Sequence, residues 1–203
     1  MRPSHPARPV RPVRRRHLAL LVAAGGTIVV LTGALTFLSS VTASTFVAGV
    51  VAAGPFSPTE ADGMIPDAEP LTLGDDDHPA LARLDSDLLA ALRAAEEAAG
   101  ADGVSFDITS GWRSVDYQRW LMQEAIRTYG SEELAREYVA TPEQSSHVTG
   151  HAVDIGSLDA QLWIMEHGRA WGLCQTYANE RWHIERATTD GGECPPPFAD
   201  ARG

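Results

Sequence analysis

Apolar and polar positions divide the chain into three stretches of different character. An uncharged apolar run from Leu18 to Leu38, about 21 residues, has the length of a helix that crosses a bilayer. Residues 39–78 mix Ala, Gly, Pro, Ser and Asp with no sustained period, which predicts a linker. Periodicity resumes at Pro79, a favourable first helical position. Leu81, Leu84, Leu88 and Leu92 then share one helical face, and the helix should end near Gly100 or Gly103. Val104 to Thr109 alternates as a strand does and runs into Ser110-Gly111-Trp112-Arg113-Ser114. Ser114 is the N-cap of a predicted second helix with Tyr117, Trp120, Leu121 and Ala125 inward. A short helix over 131–139 carries Glu132 and Glu133 in its first turn. His151 to Ile155 reads as a strand. Ser157 caps a helix whose Leu158, Leu162 and Met165 should face the core and whose end is marked by Gly172. Two short strands, Leu173–Tyr177 and Trp182–Glu185, flank a turn at Ala178-Asn179, and the Gly- and Pro-rich stretch after Arg186 has little reason to fold alone. No internal repeat is present.

Charge gives the apolar run an orientation. Arg2, Arg8, Arg11, Arg14, Arg15 and Arg16 lie before it, and the first acidic residue is Glu60. By the positive-inside rule residues 1–17 stay in the cytoplasm and everything after the run lies outside. The run is a signal anchor or the apolar core of a signal peptide cleaved near Val41-Thr42-Ala43; its length favours the anchor, which makes the cytoplasmic membrane a partner. With a net charge of −11 despite those arginines, the rest of the chain is strongly acidic, which excludes nucleic acid as a partner. The 203 residues suffice for one domain with a real core, placed at 79–203. The two cysteines, Cys174 and Cys194, are expected to form a disulfide in an exported chain. Closing a loop of about 20 residues would contribute roughly 3 kcal/mol and would pin the final segment to the neighbouring strand. Asp75-Asp76-Asp77 lacks the further ligands and the glycine of a calcium loop and reads as a solvated charge run.

The candidate chemistry lies in two places. In Ser145-Ser146-His147-Val148-Thr149-Gly150-His151-Ala152-Val153-Asp154, a histidine and an aspartate flank a glycine-containing turn. In Glu180-Arg181-Trp182-His183, a second histidine sits on a predicted strand with a glutamate three residues before it. Two imidazoles and a carboxylate suit zinc and leave its fourth position open for water, as in catalytic sites. His147, Asp154 and His183 are the candidate ligands, and Glu180 is the candidate base. A histidine taken singly is more often hydrogen-bonded or solvated than a ligand; here the joint pattern carries the assignment. Strand alternation displaces His151 from it. Tyr177 and Glu185 are candidates for supporting a ligand imidazole, and Trp182 either walls the pocket or belongs to the core.

Ser145-x-His147-x-x-Gly150-x-Ala152-x-Asp154, followed by Glu180-x-Trp182-His183 and preceded by Ser110-Gly111-Trp112-Arg113-Ser114 with Gln118, resembles the VanY-type zinc D-alanyl-D-alanine carboxypeptidases. The resemblance covers roughly residues 79–186 and departs from the family mainly at Trp112, where tyrosine or histidine is frequent. It implies a small single α+β domain with a short antiparallel sheet and flanking helices. It implies Zn2+ on His147, Asp154 and His183, Glu180 as base, Arg113 as a catalytic group, and Gln118 and Ser145 as substrate contacts. Arg113 could serve the oxyanion or the substrate carboxylate, and the resemblance favours the oxyanion. The implied activity is removal of the C-terminal D-alanine from peptidoglycan stem peptides. L,D-carboxypeptidase or wall endopeptidase activity, and a non-catalytic zinc-containing wall-binding module, are the alternatives.

Overall fold

The computed structural model describes residues 56–203. The expectations for residues 1–17, 18–38 and 39–55 lie outside them. Among the described residues no helix is long and apolar enough to cross a membrane.

Leu81, Leu84, Leu88 and Leu92 are buried, but not on one helix: Leu81 lies on α1 (Pro79–Ala82), Leu88 and Leu92 on α2 (Ser86–Gly100), and Leu84 in the break between them. The break is chemical. The Asp85 carboxylate accepts from the N–H groups of Asp87 and Leu88 at 3.0 and 3.1 Å, so it caps α2 and must stand outside it. The Asp85 N–H donates to the Gly150 carbonyl at 2.9 Å, which ties the start of α2 to the loop that carries His147.

Four strands form an antiparallel sheet of order β1-β2-β4-β3: β1 (Ile108–Ser110), β2 (Ala152–Ile155), β3 (Leu173–Tyr177) and β4 (Glu180–Arg186). β3 and its turn have the expected limits; β1 is shorter than predicted. The N–H of Phe106 is taken by the Glu96 carboxylate, and only Ile108 and Ser110 reach β2. Ile108, Val153 and Ile184 join Leu88 and Leu92 of α2 and Ile164 of α5 (Leu158–His167) in the main core. Because successive strand residues point to opposite faces, Asp154 and His183, beside Val153 and Ile184, point to the other face. That face looks toward α3 (Val115–Tyr129) and α4 (Glu132–Ala135), which share a smaller core of Met122, Ala125 and Ala135.

Three expectations need correction. Residues 56–78 are no free linker: Ile65 and Leu73 are buried in the main core, Leu71 exchanges backbone hydrogen bonds with Ile108, and Asp62 accepts from the Ser114 hydroxyl at 2.9 Å. The buried face of α3 is Gln118, Met122 and Ala125, shifted from the predicted one because the Gln118 amide is hydrogen-bonded inside. In α5, Leu158, Leu162 and Met165 are about half exposed, while Ala160, Trp163 and Ile164 are buried. That helix is apolar on most sides, so periodicity underdetermines its face. Trp163 decides it, donating to Asp102 at 2.8 Å and packing on Phe106 and Trp171. The stretch after Arg186 is pinned to β3 as the cysteine pair led us to expect, by the Cys174–Cys194 disulfide and also by backbone pairing of Phe198 with Thr176 and Ala178.

Candidate metal centre and active site

Strand register brings two of the three candidate ligands together, since Asp154 on β2 is directly opposite His183 on β4. Glu180 lies three residues before His183, a spacing that puts side chains on opposite faces of a regular strand. Pairing of β4 with β3 is irregular there: Gln175 opposes Ile184, yet Tyr177 opposes Glu180, so extra β4 residues are accommodated as a bulge. The bulge turns Glu180 to the same side as His183, and its Oε2 lies 3.9 Å from His183 Nδ1. His147 comes from the turn closed by Gly150, which has φ of +77°; a Cβ at Gly150 would also meet the Arg83 carbonyl oxygen at 2.4 Å. Both requirements explain why glycine stands there.

The three candidate ligands face one another. His147 Nε2 and His183 Nδ1 are 3.2 Å apart, and each lies 3.4 Å from Asp154 Oδ1. The remaining ring nitrogens are engaged: His147 Nδ1 with the Gly111 carbonyl at 2.8 Å, and His183 Nε2 with the Glu185 carboxylate at 3.0 Å. Those acceptors fix the tautomers so that each ring, when neutral, turns its free lone pair to the cluster. Asp154 Oδ1 is buried and without a hydrogen-bond partner. Three converging acceptors with an orphaned carboxylate oxygen call for a cation, and among the described residues this is the group of His, Cys, Asp and Glu side chains able to hold one. Two imidazoles and a carboxylate, each steadied from behind, fit zinc with an open position. Glu185→Gln is expected to weaken metal affinity roughly 10–100-fold while leaving all three ligands in place; equal affinities in chelator competition would contradict this.

Burial pushes the Asp154 carboxyl up, but His147, His183 and Arg113 outweigh it and hold it well below the ordinary value. Burial, assisted by Arg113, lowers the His147 pKa to about 4. Burial also acts to lower that of His183, yet hydrogen bonds to Asp154 and Glu185 prevail and hold it up to about 9. In the metal-free protein a proton on His183 thus stands near neutral pH where a cation would sit, and a metal must displace it. Because protonation opposes binding, affinity should rise with pH up to about 9. We expect it to fall roughly tenfold per pH unit below that point. Metal titrations between about pH 6 and pH 8 check this slope, and a flat profile would contradict it. For Glu180, burial is the largest influence and pushes the carboxyl up to about 7, with His183 opposing. A carboxyl poised there can both take up and give back a proton near neutral pH.

Arg113 reaches the site from the loop between β1 and α3 and is held by three side chains. Its Nε donates to Ser110 Oγ at 2.8 Å, and its terminal nitrogens donate to Gln118 Oε1 at 3.1 Å and Asp154 Oδ2 at 2.8 Å. Gln118 Nε2 in turn donates to the Ala140 carbonyl at 2.8 Å, so Gln118 both lines the cleft and positions Arg113. Ser145 is buried in the wall of the same cleft, whose volume is about 180 Å³. His151 is exposed and directed to Thr149 and Asp85, away from the ligands. Trp182 is 44% exposed and lines the cleft, so it walls the pocket and is no core residue. Ser110, Tyr138 and Ala201 were not singled out by sequence reasoning. Ser110 lies three residues before Arg113 and carried a readable signal; Tyr138 and Ala201 depend on tertiary packing. Apart from Ser110, the buried polar and charged residues of the described chain are Gln118, Ser145, His147, Asp154, Glu180 and His183, all in this cleft. Such a concentration of desolvated polar groups marks a functional site.

The chain is similar to several known proteins. A D-alanyl-D-alanine carboxypeptidase of Enterococcus faecalis is 30% identical over 122 residues, which are 45% of this chain and 46% of that protein. The chain thus spans about half the length of this curated relative. The crystal structure of a point variant of the vancomycin-resistance D,D-pentapeptidase VanY, in complex with Zn(II), superposes with a TM-score of 0.47 at 27% identity, covering 50% of this chain and 71% of that one. An L,D-carboxypeptidase, DacB, from Streptococcus pneumoniae gives 0.42 at 26% identity, covering 58% and 71%. The sequence model described as VanY, D-alanyl-D-alanine carboxypeptidase, matches residues 81–187, from α1 to just beyond β4 and with every candidate site residue inside it. That match takes in more than half of the chain, and the protein belongs to the VanY family.

Proposed function

We propose that the protein is a zinc-dependent carboxypeptidase that removes the C-terminal D-alanine from peptidoglycan stem peptides outside the cytoplasmic membrane. The observation that carries this reading is the buried Asp154 oxygen without a partner, faced by two oriented imidazoles and flanked by Glu180. The extracytoplasmic location is supported by the basic and apolar order of residues 1–38 and by the disulfide, which suits an oxidising compartment.

Zinc held by His147, Asp154 and His183 would supply the Lewis acidity that makes water a nucleophile near neutral pH and polarises the scissile carbonyl. Glu180 takes the proton of the attacking water and returns it to the departing amine, and its partly desolvated carboxyl suits both transfers. Arg113 is fixed by Ser110, Gln118 and Asp154, so its charge is preorganised toward the oxygen that becomes negative in the transition state. Ser145 donates to the terminal carboxylate of the substrate, and Gln118 serves the reaction chiefly by holding Arg113 in place. Defined stem pentapeptides and tetrapeptides test the reading. Release of D-alanine from pentapeptide in the presence of zinc is expected; release from tetrapeptide alone would move the specificity to the L,D type. No release from either would overturn the carboxypeptidase reading.

A further inference from the structure

The chain beyond β4 contributes to the cleft from outside the stretch matched by the family model. It is fastened in three ways. Cys194 is bonded to Cys174 of β3. The Phe198 N–H donates to the Thr176 carbonyl at 2.9 Å, and its own carbonyl accepts from the Ala178 N–H at 2.8 Å. Arg202 pairs with Asp200 and lies 3.5 Å from the Glu137 carboxylate. Between the last two fastenings Ala201 is only 4% exposed and lines the cleft together with Tyr138, Val139 and Ala140.

The two ends of the cleft are unlike. On one side Asp154 and Trp182 also line a second groove of about 290 Å³ that continues over Thr109, Gly156 and Gln161. On that side the cleft is continued by further surface. Ala201 and Tyr138 line the cleft but not that groove, and the cleft's 180 Å³ is below the roughly 300–1,000 Å³ of pockets for drug-sized ligands. We propose that the segment from Cys194 to Ala201 is the end wall of the site, limiting the leaving group to a single small residue with a free carboxylate. This rests on the carboxypeptidase reading and names what makes the site cut one residue from an end. A peptide extended by one residue has to displace Ala201, and the disulfide together with the Phe198 pairing resists that displacement.

The test uses zinc-loaded full-length protein carrying Glu180→Gln, so that binding is read without turnover. Affinities are measured by calorimetry for an acylated D-Ala-D-Ala peptide and for the same peptide extended by a C-terminal glycine. With the wall intact, the unextended peptide is expected to bind about tenfold more tightly or better. Adding Ala201→Trp should weaken it by about tenfold without loss of zinc, because the wall then fills the place of the leaving residue. Adding Cys174→Ser with Cys194→Ser, where the wall is only loosened, should narrow the preference to roughly threefold or less. Equal binding of both peptides, binding of neither, or an unchanged preference in both wall variants would overturn the proposal. If the enzyme bearing Glu180 releases no D-alanine while the binding preference holds, the hydrolytic reading fails and the wall stands. If D-alanine is released but both peptides bind equally, the wall alone fails.

Discussion

Replacement of Glu180 by alanine is expected to leave the metal bound and to lower kcat/KM for D-alanine release by about 10²–10⁴-fold. Glu180 stands beside the ligand cluster without belonging to it, with Oε2 3.9 Å from His183 Nδ1, so its removal takes away the proton carrier and spares the three donors. The β4 bulge that turns it toward His183 costs ladder pairing, and a module that only binds the wall has no use for a buried carboxylate aimed there. Burial pushes this carboxyl up to about 7, which destabilises its charged form in the folded protein. The variant should therefore fold at least as well as the parent near neutral pH. Steady-state kinetics with metal content measured on the same samples decide the matter. Activity close to that of the parent would remove Glu180 from the mechanism.

His147→Ala acts one step earlier, on the metal itself. Apparent free energies for zinc at four-ligand structural sites run to about 10–16 kcal/mol, so one ligand accounts for roughly 3 kcal/mol, or about two orders of magnitude in Kd. The substitution also removes the partner of the Gly111 carbonyl and leaves a cavity where a 4%-exposed ring had packed against His183. The purified variant should lose its metal on dialysis against a chelator under conditions in which the parent keeps it. A tightly bound zinc in the variant would show that the ligand set differs from His147, Asp154 and His183.

The features most legible in the sequence were those set by local chemistry. The turn at Ala178-Asn179 and strand β3 follow from alternation interrupted by turn residues, and Ser114 and Ser157 cap their helices as their side chains dictate. The metal-ligating pattern was readable because two imidazoles, a carboxylate and a glycine turn have few other reasons to occur together. What escaped was decided by tertiary contact. No periodicity separates the faces of α5, because the hydrogen bond from Trp163 to Asp102 selects the buried one. Ile65 and Leu73 are isolated apolar residues in a Pro- and Asp-rich stretch, and only the core they meet shows that they belong to the domain. The first helix divides because Asp85 caps α2, and the bond from its N–H to Gly150, 65 positions away in the chain, holds that cap in place. Gln118 was read as a substrate contact, whereas its hydrogen bonds to Arg113 and Ala140 make it first a support for the arginine. Ala201 has no signal of its own, since its place in the cleft depends on a disulfide and on a strand-edge pairing.

The same local reasoning accounts for the economy of the site. One cross-strand pair supplies Asp154 and His183, one bulge supplies Glu180, and one glycine turn supplies His147. Glu185, two residues after His183 and on the same face of β4, steadies the ring that it follows. The sheet therefore fixes most of the centre before any metal arrives, which keeps the ordering cost of binding small. The most direct measurement is D-alanine release from a stem pentapeptide by metal-free protein as zinc is added stepwise. The account predicts no activity at the start and a linear rise that levels off at one zinc per chain; full activity without metal, or a rise that ignores this stoichiometry, would contradict it.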